Sequence, residues 1–149
     1  MARIRSIHPG LFTDEAFISV SLGARLLLIG IWTEADDHGM FEWKPVTLKM
    51  RLLPCDAVEL VALLAELVAV DAVKNIDSNG RSYGLVRNFC IWQRPKRPVY
   101  RAELPPEFRT YVGLNPDGSR PNAKASTLDI PSMLAPPPPI HPRYTLDTG

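Results

Sequence analysis

The sequence predicts an α+β domain, and three observations carry that expectation. Apolar residues recur at helical spacing over 22–33 and again over 57–70. The short alternating run "MFEW" at 40–43 reads as a strand between helices. Two β-prone runs, "AVKNI" and "SYGLVRNF", flank "DSNGRS", where Asn79-Gly80 is a strong hairpin signal. With 149 residues, 46% of them hydrophobic, the chain can bury one core. Twelve of its fifteen prolines stand at or after Pro95. The domain is therefore expected over 1–101, and 102–149 is expected to be a Pro-rich, mostly disordered tail in which "FRTYV" at 108–112 is the segment suited to dock locally.

In chain order, "ARIRSI" leads into a short helix in "DEAFISV". Ser21 is a good N-cap for "LGARLLLIGIWTEADD", which puts Leu22, Leu26, Ile29 and Thr33 on one stripe with Leu27, Leu28, Ile31 and Trp32 around it. A helix so nearly apolar all round belongs at the centre of a core. It should stop at "DDHG", where Gly39 supplies a left-handed residue. After the strand, Lys44 and Pro45 open a second helix running to about Leu53, and Pro54 breaks it. Asp56 is read as the cap of a third, "AVELVALLAELVAV", with Leu60, Leu63, Leu64 and Leu67 on its core stripe. Helix, short strand, helix, helix, hairpin is the order of a winged helix-turn-helix, a three-helix core plus a β-hairpin wing.

The formal net charge of +1 hides a division. Residues 44–101 hold ten basic against five acidic side chains, while both flanking segments are slightly acidic. One face could therefore meet a polyanion. The candidate DNA-binding residues are Lys44, Lys49 and Arg51 on the second helix, Arg81 and Arg87 in the hairpin, and Arg94, Lys96, Arg97 and Arg101 after it. Pro95 and Pro98 stiffen that last stretch, so "NFCIW" is expected to close the domain and "QRPKRPVYR" to leave it as a basic arm. The third helix should expose Glu59, Ala62, Glu66 and Ala69, which offer no donors to base edges and repel phosphates. Contacts through the other groups would be salt-sensitive and weakly specific.

Catalysis is not expected. There is no Gly-rich phosphate loop and no nucleophile elbow, and the carboxylates and histidine of "EADDHG" read as a solvated helix end. Cys55 and Cys90 form no CxxC pair, and no zinc spacing occurs, so no metal, cofactor or disulfide is expected. The longest apolar run, "LLLIGIW", is too short to span a bilayer, and a reducing cytoplasm fits best.

The opening "MARIRSIHPGLFTDEAF", the segment "LGARLLLIGIWTEADDHG" and the closing "RNFCIWQRP" resemble the N-terminal winged-helix domain of phage and prophage replication-initiation proteins, the replisome-organiser or DnaD-like group. Arg3, Arg5, Pro9, Phe12 and Asp14 match at the start, and Asn88, Phe89, Gln93, Arg94 and Pro95 at the end. Asp36 and Gly39 match the helix-ending turn. The resemblance implies a bacteriophage DNA-binding protein acting on double-stranded DNA in replication initiation. The alternative is a protein-protein interaction module of the same fold, whose partner would be a host replication, regulatory or defence protein or a second copy of itself. Neither reading involves a membrane or a small-molecule substrate.

Overall fold

A computed structural model describes residues 2–122. A 3₁₀ turn at Pro9–Thr13 precedes α1 (Glu15–Ile18) and α2 (Leu22–Glu34). Then come β1 (Met40–Glu42), α3 (Pro45–Leu52), α4 (Leu60–Ala69), the strands β2 (Val73–Ser78) and β3 (Arg81–Val86), and α5 (Phe89–Trp92). A second 3₁₀ turn lies at Pro106–Phe108. The class is α+β, as expected. The sheet is antiparallel with β3 central, in the order β1-β3-β2.

The hairpin forms where Asn79-Gly80 placed it. Both residues have positive φ, 52° and 77°, as a two-residue loop matched to strand twist requires. Register sets Phe41 of β1 opposite Gly84 of β3. The Phe41 ring occupies the space above that glycine, and a Cβ built at Gly84 would stand 2.1 Å from Cζ of the ring.

Ser21 caps α2 by accepting from the Ala24 amide, 3.2 Å. The helix buries Ala24, Leu27, Leu28, Ile31 and Trp32, whereas Leu22 and Leu26 are exposed. The expected stripe was therefore out of phase. An almost uniformly apolar helix carries little phase information, and its neighbours decide: Gly23 lies against Leu63 of α4, and Gly30 against Leu52 of α3. The third core helix also starts later than expected. Asp56 sits in a turn, its amide donating to the Leu53 carbonyl, and α4 begins at Leu60 with Glu59 as N-cap. Its core residues Leu60, Leu63, Leu64 and Leu67 are all buried as read.

Two expectations fail more substantially. The domain does not end at residue 101, because Leu104, Val112 and Leu114 are buried in the core. The segment supplies what α5 lacks. Asn88 and Cys90 at the start of α5 donate their amides to the carbonyls of Tyr111 and Val112, at 2.9 and 2.8 Å. Residues 123–149, the rest of the expected tail, lie outside the described residues. The second failure is "DDHG". Asp36 and Asp37 are 1% and 0% exposed, so this helix end is interior rather than solvated.

Candidate nucleic-acid interface

The buried Asp36-Asp37 pair organises the surface on which the arm lies. Asp37 accepts from Arg5 Nη1 at 2.7 Å, from the Val99 amide at 2.7 Å and from Arg3 Nη1. Asp36 accepts from the amides of His38, Met40 and Arg101 at 2.9, 3.0 and 2.8 Å. Burial opposes the charge on Asp37, but the hydrogen bonds from Arg5 and Val99 and the charges of Arg5 and Arg3 outweigh it and hold the carboxyl below its usual pKa. The rest of the Arg5 guanidinium donates to the carbonyls of Trp32 and Ala35, both at 2.8 Å, and lies over the Phe89 ring.

The N-terminal strand is thereby fixed beside the residues after α5. The Gln93 amide group makes two bonds with Ser6, accepting from its amide at 2.9 Å and donating to its carbonyl at 2.7 Å. Between strand and arm lies an open cleft of about 450 Å³, with Arg3, Ile4 and Ser6 on one side and Arg94, Lys96 and Arg97 on the other. Arg120 ties Asp37 to Gln93, donating to their carbonyls at 2.7 and 2.8 Å.

The nine cations picked out in the sequence divide sharply. Arg51 Nε pairs with Glu34 at 2.8 Å, Lys44 with Glu42 at 3.2 Å, and Arg87 with Asp71 at 2.6 Å. Arg101 Nη1 stands 3.6 Å from Glu42 while its Nη2 donates to the Glu34 carbonyl. Those four charges are answered inside the fold. Lys49 reaches back to the Leu53 carbonyl at 3.3 Å, a helix C-terminal contact. Among the described residues Arg94 meets only a main-chain carbonyl, that of Pro121, at 2.6 Å. Arg81, at the hairpin tip, and Lys96 and Arg97, in the arm, are exposed and have no partner among the described residues. Arg3 was missed as a cleft residue. Its alternation with Arg5 was the available signal, since residues two apart in an extended segment share a face.

α4 offers nothing to base edges. Its exposed residues are Val61, Ala62, Ala65, Val68 and Ala69. Glu66, expected to point outward, is half-buried and accepts from the Ser21 amide and hydroxyl at 2.9 and 2.8 Å, which ties α4 to the start of α2. Among the described residues no three His, Cys, Asp or Glu side chains gather as a cation site, and no helix is long and apolar enough to cross a membrane. Comparison with protein-family models, curated proteins and solved structures finds no match. The site therefore has to be read from its own chemistry.

Proposed function

We propose that the chain is a winged-helix DNA-binding protein of phage-type replication initiation, acting in the cytoplasm of a bacterial host. It contacts duplex phosphates through the arm at Arg94, Lys96 and Arg97, with Arg81 at the wing tip. One observation carries this reading: of the nine candidate cations, Lys44, Arg51, Arg87 and Arg101 are paired with carboxylates, whereas Arg94, Lys96 and Arg97, three of the five that are not, lie together beside one cleft on a proline-punctuated segment. Charges already matched by carboxylates have little to gain from phosphate, whereas free guanidinium and ammonium groups release counterions on contact. The helix order and the three-stranded sheet fit a winged helix.

Because α4 lacks base-reading side chains, binding in this reading positions the protein on DNA without selecting a sequence. The test is titration of a labelled duplex at several salt concentrations. Replacing Arg94, Lys96 and Arg97 with glutamine should weaken binding to all sequences alike and reduce the salt slope by about 0.9 per lost contact. An unchanged slope would sink the proposal. The alternative, a protein-interaction module, draws its support from the apolar outer face of α3 and α4.

A further inference from the structure

We infer that the groove between α3 and α4 is an isologous contact between two copies of this chain. Its apolar floor is exposed to an unusual degree: Val46 is 75% accessible, Met50 70% and Val61 66%. Pro45, Pro54 and Val58 continue the same surface. An apolar patch of this kind, rimmed by charge, marks a docking surface.

The charges at the groove indicate what docks there. Lys49 and Glu59 both line it. Neither forms an ion pair among the described residues, and the Lys49 ammonium has only the Leu53 carbonyl. A groove meant for an acidic or a basic partner would carry one sign. This one carries one charge of each, which is what a two-fold axis requires, because the patch then meets its own copy and Lys49 of each protomer faces Glu59 of the other. The apolar residues provide the buried area, and the two reciprocal pairs fix orientation. In α4 Glu59 stands at the N-cap without making a side-chain cap bond. Its carboxylate is therefore free to turn to a neighbour. This inference does not rest on DNA binding, and its test contains no nucleic acid.

Sedimentation equilibrium of the full chain over a wide concentration range should show a monomer-dimer equilibrium. Lys49→Glu and Glu59→Lys, each alone, place like charges opposite one another and should raise the dissociation constant about tenfold or more. The double swap restores opposite charges across the axis and should return it to near the parent value. Met50→Asp should abolish dimerisation, with a thermal melt confirming that each variant folds. A chain that remains monomeric at every concentration overturns the inference, and so does a double swap that behaves like the worse single variant. Either result would assign the groove to a different occupant.

Discussion

Arg5 and Asp37, 32 positions apart, meet with Nη1 2.7 Å from Oδ1, and their side chains are 4% and 0% exposed. Replacing one partner of so buried a pair strands the other's charge. Asp37→Asn should therefore destabilise the fold by about 3 to 5 kcal/mol. Urea titration measures it, and a loss below about 1 kcal/mol would show that the pair is peripheral to stability.

His38 makes stability depend on pH. Its ring stacks on Tyr100, centroids 3.8 Å apart, and its Nδ1 is buried without a partner among the described residues. Burial, with the charges of Arg120 and Arg109, lowers its pKa below 6.5 against the opposing pull of Asp36 and Asp37. With the folded pKa depressed, the unfolded chain takes up a proton first. The contribution is complete above about pH 6.5 and is lost as the pH falls from there through the folded pKa. Asp37, also depressed, adds a separate loss below its ordinary 3.8. Melting temperatures at pH 7.5 and 5.5 should differ for the parent and differ less for His38→Phe, which keeps the stack. An equal difference in both would place the titration on another group.

Gly84→Ala and Gly80→Ala separate crowding from backbone strain. At Gly84 the new methyl collides with Phe41, a ring 1% exposed in the core. At Gly80 nothing lies within 4 Å, and only the φ of 77° resists. The first substitution should cost about 3 kcal/mol or more, and the second about 1 kcal/mol. Thermal denaturation that ranks them the other way would contradict the register of β1 on β3.

Ending the chain after residue 122 should preserve a cooperative thermal transition, whereas ending it after 101 should destroy it. The shorter chain loses Leu104, Val112 and Leu114 and uncovers the amides at the start of α5. Leu114→Ala in the full chain gives the graded version, a loss of about 2 to 4 kcal/mol. A cooperative melt from the shorter chain would restore the boundary at 101.

What the sequence made legible was local. Asn79-Gly80 specifies its turn within two residues, and Ser21 caps the helix it begins. What stayed hidden depended on distant chain. The phase of α2 was set by Leu52 and Leu63, and the apparent cap at Asp56 was overruled by a turn that absorbs residues 53–59 before α4. The arm was legible as a basic segment because its neighbours in sequence are prolines and cations. The pairing of Arg51 and Arg87 was not, because Glu34 and Asp71 lie 17 and 16 positions away. The burial of Asp36 and Asp37 could not be read from "EADDHG" itself, since the groups that answer Asp37 belong to Arg3, Arg5 and Val99, and Arg101 completes the partners of Asp36.

That last arrangement bears on how the protein is made. A ribosome delivers Arg3 and Arg5 early, Asp36 and Asp37 next, and Val99, Arg101 and Arg120 only near the close of the described chain. Until those last residues emerge, Asp37 lacks the Val99 amide, Asp36 lacks that of Arg101, and the N-terminal strand lacks Gln93 to hold it. The two carboxylates cannot shed their water before then without an uncompensated cost. Nascent chains stalled before residue 99 should therefore keep the charged end of α2 hydrated, and the hydrogen bonds from Val99 and Arg101 can form only once those residues have emerged.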